Sequence, residues 1–500
     1  MEISFDNKCI NTFREIYHQT KRIQESAESV VPDTDDDIGR IAAVHSWVIL
    51  KSKDLTSRGV LISGEASAAL LYITESQESM SFVRLSKSFS IEYEVPDAGT
   101  DAVAQIGLSI ANAEARVINP RKVSVTFEIC GELSCYRQES VCLESALPAD
   151  VCSGLHARYE SAELTFTNAA CEKTFAINEQ FTFPSGKPVP SRLVAAQVDF
   201  SVSDSQLIGT KVIVKGSADI SACYLSDEVN YPVRTEFSTP FSQIVDIGQE
   251  RIDGCNVRIE LTGAYFDITD IINGDKSLDA EIHAVMQIVS RSRERMVYIA
   301  DAYSNVMPAQ CNVLQCRFDM VSDIQKVKLT ADERISIVDD CTDVLSAFLT
   351  VAHISQEQTK LTASVNMDVV YRTNQGQISA VRRSISMEGE NASGGMRISG
   401  ARLTDVYLRP DGQFVDGHLA LELSCLTCSS VELKKVESVE LNEEEKYDTS
   451  MFPAVTLVRP DGETLWELAK QYHSSMEKIS AANKLDEENP ARLLLIPKTI

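Results

Sequence analysis

A short segment of this 500-residue chain occurs twice in closely similar form and a third time in a weaker form. The first copy, Val60–Tyr72 (VLISGEASAALLY), aligns with Val212–Tyr224 (VIVKGSADISACY) at an offset of 152 residues, and the same offset carries Phe89 onto Phe241. The third copy, Leu361–Tyr371 (LTASVNMDVVY), lies about 147 residues further on. A chain that repeats itself at this spacing is expected to fold as a series of related units, each of the size of one domain.

Each copy is followed by a stretch in which apolar and polar residues alternate. The apolar members of the three stretches are Val123, Val125, Phe127 and Ile129; Ala280, Ile282, Ala284, Met286 and Ile288; and Leu419, Leu421, Leu423 and Cys425. A period of two places these residues on one face of a strand and the polar residues on the other. Half-buried strands of this kind are typical of antiparallel sandwiches and barrels. We therefore predict a mainly β fold in which about residues 24–430 form three repeated antiparallel β-sandwich-like domains.

The repeats and the local composition divide the chain into five parts. These are an N-terminal arm with the first β domain (1–168), a second β domain (169–308), a third and divergent one (309–436), an acidic linker (437–451) and a small C-terminal domain (452–500). The linker is predicted because residues 437–448 carry six acids against one base, and such runs are usually solvated. Residues 7–28 are polar with scattered apolar positions, which suits a helix or an arm packed on the first β domain.

The charge balance limits the partners of the chain. There are 47 Lys and Arg against 73 Asp and Glu, which gives a net charge of −26. A surface this negative repels phosphate, so nucleic acid and anionic membranes are poor partners. The most apolar stretch, Val344–Ala352, is far shorter than the ~20 residues that cross a bilayer, so we expect no membrane span.

Two features predict the compartment. The chain has 13 cysteines, an odd number spread over most of its length, whereas oxidising compartments favour even and clustered sets. The N-terminal residues Met1–Asp6 lack the basic segment, followed by an apolar one, that marks a secretory signal. We expect a reduced, cytoplasmic protein.

Chemistry-bearing motifs are sparse. The acidic cluster Asp33–Asp37 lacks the ligand spacing and mid-loop glycine of a calcium loop, and we interpret it as the cap of a short helix or turn. Cys425 and Cys428 form one CxxC, but a structural zinc site needs four ligands, so buried thiols are the simpler interpretation. No nucleophile elbow, zinc-protease motif or glycine-rich phosphate loop is present. We predict no enzyme, no metal and no cofactor, although a triad that assembles only in space leaves no local pattern.

The C-terminal segment has a different pattern. Short strands open and close it, at Ala454–Val458 and Leu493–Pro497. Between them, two capping patterns, Thr464–Glu467 and Ser474–Glu477, each predict the start of a helix, and Asn483 suits a left-handed C-cap. The apolar face of the first helix consists of Leu465, Leu468, Ala469 and Tyr472. The segment is predicted to fold as β-α-α-β.

At this point a family resemblance can be stated. Residues 455–497 resemble a lysin motif (LysM) domain through Gly462–Ala469 (GETLWELA), Tyr472, Asn483–Leu485 and Leu493–Pro497. The resemblance implies two helices packed on a two-stranded sheet. It also implies binding of N-acetylglucosamine polymers through two loops.

The two loops correspond here to Asp461–Leu465 and Asn483–Arg492. Family members usually carry Pro-Gly before the last strand, and this chain has Pro490-Ala491. The residues that the resemblance assigns to partner or glycan binding are Asp461, Gly462, Glu463, Thr464, Leu465, Trp466, Asn483, Leu485, Asp486 and Pro490.

The β repeats resemble SPOCS domains. The signature is Val31–Ile41 (VPDTDDDIGRI), followed by a strand around Trp47–Ser52 and by Val60–Tyr72. The second copy keeps Val189-Pro190, and the third keeps Asp339-Asp340.

SPOCS domains followed by a single C-terminal LysM domain are the arrangement of SipL-like proteins of spore-forming anaerobes. This resemblance implies a non-enzymatic scaffold or adaptor in the mother-cell cytoplasm, at the surface of the forespore, that helps to encase it in coat. Its LysM domain would dock on the coat-basement ATPase, stage IV sporulation protein A, and its β body would meet other spore coat proteins. The alternative is LysM-mediated binding of peptidoglycan or chitin-type N-acetylglucosamine polymers.

Trp466 is one of only two tryptophans, and two interpretations of it stay open. It packs in the core of the LysM domain, or it is a partly exposed anchor at a partner surface, where tryptophan is over-represented among energetic hot spots. Residues 452–500 carry six basic and seven acidic residues, a net charge of −1. A near-neutral domain on an acidic body favours docking by shape and apolar contact rather than by charge steering.

Overall fold

The molecule is mainly β. The computed structural model describes the chain except for residues 1, 4, 77–78, 97–98, 100, 149–153, 272–274, 391–395, 443, 449–452, 484–492 and 499–500. The described residues form nineteen strands and two short helices, and both helices lie in the C-terminal segment. The predicted fold class, β repeats with a small βααβ end, is confirmed. In the described part of the chain, no helix combines the length and the apolar character that a bilayer crossing requires.

The first repeat consists of two three-stranded antiparallel sheets. Its strands are β2 (Asp6–Val30), β3 (Ile38–Thr56), β4 (Gly59–Thr74), β5 (Met80–Glu94), β6 (Val103–Asn119) and β7 (Lys122–Ala146). One sheet has the order β2-β7-β6 and the other β3-β4-β5. The repeated segment therefore forms the central strand β4, and the alternating stretch forms the central strand β7. The apolar members of that stretch, Val123, Val125, Phe127 and Ile129, are fully buried, as the alternation predicts.

The second repeat has the same topology. Its strands are β8 (Leu155–Thr182), β9 (Arg192–Ile208), β10 (Lys211–Ser226), β11 (Val229–Asp246), β12 (Gly254–Asp270) and β13 (Lys276–Ser304). The sheet orders are β12-β13-β8 and β11-β10-β9, so the second copy of the repeated segment is again a central strand, β10.

The third repeat is the divergent one, because two of its strands run on without a break. It consists of β14 (Ala309–Glu357), β15 (Lys360–Thr373), β16 (Ile378–Glu390) and β17 (Met396–Leu441), and β1 (Glu2–Ile3) adds an edge to it. The sheet order is β1-β17-β14-β15-β16. Strand β14 has 49 residues and pairs first with β17 and then with β15, so one strand takes the place of two.

The repeat extends to individual hydrogen bonds. The hydroxyl of Tyr72 donates to the carbonyl of Asp36 at 3.1 Å, and that of Tyr224 donates to the carbonyl of Pro188 at 3.0 Å. The donor and the acceptor of the second bond each lie 152 positions after their counterparts in the first. The ammonium of Lys21 donates to the carbonyl of Glu92, and Lys173 does the same to Ile244, again at that offset. The first two repeats are therefore copies in contact pattern as well as in sequence.

The three repeats pack on one another. One apolar cluster draws on all three: Ala42, Ala43, Ala69, Leu71, Ile73, Met80, Val194, Ala195, Cys223, Phe348, Val370 and Ile378. Around it, Arg192 of the second repeat makes a bidentate pair with Asp35 of the first, at 3.0 and 3.2 Å. The amide of Asp35 donates to the carbonyl of Pro32, so the predicted acidic cluster forms a turn and joins repeats. This combination of apolar burial and ion pairs makes the repeats one body.

Three long ribbons extend from this body. Strand β6 pairs with β7 only as far as Tyr136, and β12 pairs with β13 only as far as Arg291. Beyond these points β2 pairs with β7, β8 with β13, and β14 with β17. We call the three ribbons the stalk (6–14 with 137–146, 155–166 with 292–304, and 309–321 with 428–441). They share a core of Leu143, Leu164, Phe166, Met296, Tyr298, Ala300 and Leu433.

The helix interpretation of residues 7–28 is wrong, because this segment is strand β2. It pairs with β7 along its whole length, from Asp6 opposite Ala146 to Val30 opposite Lys122. The segment is polar because much of one face is exposed. Pairing with a strongly alternating neighbour overrides the weak local pattern.

Two predicted domain limits fall within strands. Residue 168 lies inside β8, which pairs with β13 from end to end. Strand β17 continues to Leu441, and Val439 and Leu441 are buried in the stalk. The first five residues of the predicted acidic linker are therefore part of a sheet. The division into five parts otherwise stays a prediction.

The cysteines differ from the expectation of a fully reduced chain. Cys9 of β2 lies directly opposite Cys142 of β7, and the two form a disulfide with a Cα–Cα distance of 4.1 Å. Cys425 is buried and Cys428 exposed, because residues three apart on a strand point to opposite faces. Across the described ranges, no group of three or more His, Cys, Asp or Glu is arranged to hold a metal ion.

Candidate functional site

The C-terminal segment folds as predicted into two strands and two helices. Strand β18 (Val455–Val458) pairs antiparallel with β19 (Leu494–Pro497), and α1 (Leu465–Gln471) and α2 (Met476–Asn483) pack on them. The core of this LysM domain contains Leu468, Ala469, Ile479, Leu494 and Ile496, with Leu465 and Tyr472 packed against it. The apolar face predicted for the first helix is thus the one that is buried.

Helix α1 begins with the predicted capping box. The hydroxyl of Thr464 accepts from the amide of Glu467 at 3.3 Å, and the carboxylate of Glu467 accepts from the amide of Thr464 at 2.7 Å. The hydrogen bond from the Thr464 amide lowers the pKa of Glu467. The second capping pattern is shifted by one residue, because Ser475, not Ser474, accepts from an amide of α2, that of Lys478.

Most of the first predicted loop is exposed. Asp461, Gly462, Glu463 and Thr464 are exposed and Leu465 is half-buried. The carboxylate of Glu463 accepts from the amide of Asp461 at 2.6 Å. Gly462 has φ of +95°, a conformation that glycine adopts at no steric cost because it has no Cβ. The loop is therefore a preformed turn with its carboxylates available to solvent.

Of the second predicted loop, Asn483–Arg492, the structure describes only Asn483. Leu485, Asp486 and Pro490 lie outside the described residues. Asn483 is the last residue of α2 and has no positive φ, so the predicted left-handed C-cap at this residue is wrong. Its carboxamide accepts from the amide of Leu495 at 2.7 Å and donates to the carbonyl of Leu495 at 2.6 Å. Asn483 therefore holds strand β19 onto the helices.

Trp466 is buried against the stalk. Its indole Nε1 donates to Oδ2 of Asp301 at 2.7 Å, and its ring meets that of Tyr303 edge-on at a centroid distance of 4.9 Å. The guanidinium of Arg158 lies 5.9 Å from the indole centroid. Trp466 is only 6% exposed, so both sequence interpretations missed its partner, which lies 165 residues away in the chain.

Further contacts join the LysM domain to the end of the stalk. The ammonium of Lys470 donates to both carboxylate oxygens of Asp301, at 2.8 and 3.0 Å. The hydroxyl of Tyr303 donates to the carbonyl of Ser474 at 2.8 Å. Burial alone would raise the pKa of Asp301, but the hydrogen bonds from Lys470 and Trp466 outweigh it and hold that pKa below its ordinary value. The domain is docked on the stalk, not held away from it on a tether.

The outward face of the LysM sheet is apolar. Its exposed large side chains are Val455, Leu457, Leu493 and Leu495. Leu457 and Leu495 are directly opposite each other across the two strands. Adjacent exposed leucines on a small domain are typical of a protein-contact surface.

A cavity of about 940 Å³ lies where the three repeats meet. Its charged groups are engaged with protein: the guanidinium of Arg258 donates to Glu132 at 2.6 Å, and Glu260 accepts from the amide of Leu108 at 3.3 Å. Burial raises the pKa of Glu260 to about 7, against the lowering effect of the adjacent Arg258. These groups join repeats and give the cavity a polar wall.

Comparison with protein families finds two matches. The family model of the SipL, SPOCS domain matches residues 191–269, which cover β9 to most of β12, and that of the LysM domain matches residues 461–493. Neither family is a catalytic one. No match was found among curated proteins or among solved structures. The chain thus carries a SPOCS domain of the SipL type followed by a C-terminal LysM domain, the domain arrangement of SipL-like, sporulation-related adaptor proteins.

Proposed function

We propose that the chain is a non-enzymatic scaffold in endospore coat assembly, whose LysM domain docks on the coat-basement ATPase, stage IV sporulation protein A. The observation that carries the proposal is the placement of the LysM domain. It sits at the end of the stalk with the Asp461–Thr464 turn exposed and an apolar sheet face turned outward. A binding domain held at one end of a long β body suits the recruitment of other components to a surface.

The kind of contact follows from charge and exposure. The body carries nearly all of the net charge of −26, whereas the LysM segment is close to neutral. The exposed Leu457 and Leu495 offer apolar area without a charge penalty. We therefore place the ATPase on the outward sheet face and the adjoining turn, in the mother-cell cytoplasm at the forespore surface. Other spore coat proteins would meet the β body.

The test uses the purified full chain and the purified ATPase in a direct binding assay. Leu457→Asp and Leu495→Asp should weaken binding at least tenfold, because each buries a carboxylate at an apolar contact. Val313→Asp, which changes an exposed apolar residue of the stalk, is the matched control and should bind as wild type. Unchanged binding by both LysM variants would refute this docking face.

Cellular position tests the wider role. A fluorescent fusion should form a shell around the developing forespore, and the Leu457→Asp fusion should be diffuse in the mother cell. A wild-type fusion that stays diffuse throughout sporulation would exclude the scaffold role.

A second function is supported by the LysM match itself, since LysM domains bind N-acetylglucosamine polymers. The Asp461–Thr464 turn is exposed and open to such a ligand. Calorimetry of the full chain with chitin oligomers separates the two functions. Saturable heat that Asp461→Ala abolishes would favour the glycan function, whereas no heat together with ATPase binding favours the adaptor.

A further inference from the structure

The contact between the LysM domain and the stalk combines hydrogen bonds with one aromatic ring pair. The LysM domain supplies its own apolar core, and the stalk adds only Tyr303 to that cluster. Among the described residues, the other contacts include the Asp301 carboxylate with its two donors, the Tyr303 hydroxyl with the carbonyl of Ser474, and the Arg158 guanidinium beside the Trp466 ring. An interface of this kind between parts of one chain allows relative motion unless it is large and hydrophobic.

The residues in the contact lie on one face of α1. Trp466 and Lys470 are one helical turn apart, so they project from the same side. The buried face of the helix, formed by Leu465, Leu468 and Ala469, is a different one. The helix therefore has two functional sides: one that builds the LysM core and one that is used for docking.

Two described residues of the segment that joins the LysM domain to the stalk, Asn442 and Tyr447, are held by main-chain hydrogen bonds. Strand β17 ends at Leu441 and β18 begins at Val455. Within that interval, the amide of Asn442 donates to the carbonyl of Pro308 and that of Tyr447 donates to the carbonyl of Val306. Asn442 and Tyr447 lie outside helices and strands, so these two bonds are of the type that opens locally without unfolding the sheet.

We propose that the LysM domain is a reversibly latched cap: it undocks from the stalk as a folded unit, and docking through Asp301 and Tyr303 withholds Trp466 from any ligand. The inference holds for a protein ligand and for a glycan, so it stands apart from the function proposed above. A ligand that uses the Trp466 side must compete with Asp301, and its apparent affinity is reduced by the fraction of molecules that are docked. A ligand that uses only the outward sheet face does not compete.

Because the chain has only two tryptophans, the exposure of Trp466 can be followed by fluorescence. Trp47→Phe leaves Trp466 as the sole tryptophan reporter. In this background, acrylamide should quench Trp466 weakly, because the docked indole is buried. Asp301→Leu removes both the indole acceptor and the Lys470 pair, and should raise the quenching constant several-fold with a red shift of the emission. Tyr303→Phe, which removes only the bond to Ser474, should give a smaller rise in the same direction.

Two controls make the result decisive. Asp319→Leu changes an exposed aspartate of the stalk and should leave the quenching constant unchanged. Hydrogen exchange should show α1, α2, β18 and β19 as well protected in Asp301→Leu as in the parent. Unchanged quenching in both latch variants would overturn the proposal, and so would exposure of Trp466 that comes with loss of that protection, because no folded undocked state would then exist.

Discussion

The carboxamide of Gln287 makes both of the hydrogen bonds that a neighbouring strand would make to Ile106. Its Oε1 accepts from the amide of Ile106, and its Nε2 donates to the carbonyl of Ile106, both at 2.8 Å. Gln287 lies on the central strand β13 of the second repeat and is 1% exposed. Ile106 lies on β6, an edge strand of the first. A buried strand edge leaves main-chain groups without partners, and a side chain from the next repeat replaces the missing strand.

Replacing this carboxamide should therefore loosen the junction of two repeats. Gln287→Leu keeps the size of the side chain but leaves a buried amide and a buried carbonyl unpaired, at a cost of about 1–3 kcal/mol for each group. We expect a clearly lower midpoint of urea unfolding. Gln180→Leu is the control, because Gln180 is exposed and its carboxamide bonds only the Asp279 side chain. Equal effects of the two substitutions would contradict this account.

A side-chain carboxamide also replaces a missing strand within the LysM domain. There, Asn483 hydrogen-bonds both main-chain groups of Leu495. Asn483→Leu should increase hydrogen exchange at β18 and β19, while the exchange of β10 in the body stays unchanged. The expected cost is about 2 kcal/mol. Glu477→Gln, an exposed change on the same helix, should have no effect. Protection of β19 that survives Asn483→Leu would show that the carboxamide does not hold the strand.

Gly216 corresponds to Gly64 at the offset of 152 residues, and close packing at this position can be tested by substitution. A Cβ at Gly216 would lie 2.1 Å from the carbonyl oxygen of Ser201 and 2.7 Å from the ring of Phe241. Gly216→Ala should therefore destabilise the second repeat by about 1–3 kcal/mol. Gly186→Ala is the matched control, since a Cβ there meets nothing within 4 Å. Thermal unfolding of the two variants tests this, and a loss at Gly186 as large as that at Gly216 would argue against a packing effect.

Glu260 should make the free energy of unfolding depend on pH. Its pKa is about 7 in the folded protein, against about 4.3 in an unfolded chain. Between these values the folded protein binds more protons than the unfolded chain, so the free energy of unfolding falls as the pH rises through this window. Glu260→Gln should make the unfolding midpoint less dependent on pH between 5 and 8 and raise it at pH 8. Glu163→Gln, an exposed control, should not change that slope; an unaltered slope in Glu260→Gln would refute the prediction.

The sequence predicted those strands that have a pattern among neighbouring residues. Alternation located the central strands β7 and β13, because burial on one face needs only a period of two. The offset of 152 located the pair of Gly64 and Gly216, each facing a phenylalanine. Residues 7–28 were misread because β2 takes its conformation from β7, and pairing between distant segments has no local pattern.

The candidate site was predictable only in its local geometry. The capping box of Thr464 and the positive φ of Gly462 depend on residues close in sequence. The partner of Trp466 did not follow from the sequence, because Asp301 lies on strand β13 of the second repeat, 165 residues before it. Asparagine is a residue type that suits a left-handed C-cap, but Asn483 stays helical here. Its carboxamide instead hydrogen-bonds the main chain of Leu495 in β19.

The uninterrupted strands of the third repeat determine how the molecule responds to tension. Strand β17 runs from the body to Leu441, next to the LysM domain, and its antiparallel neighbour β14 continues from the stalk into the body as far as Glu357. A pull on the LysM domain along the stalk axis would load the β14–β17 hydrogen bonds in shear, all at once, rather than opening them one by one.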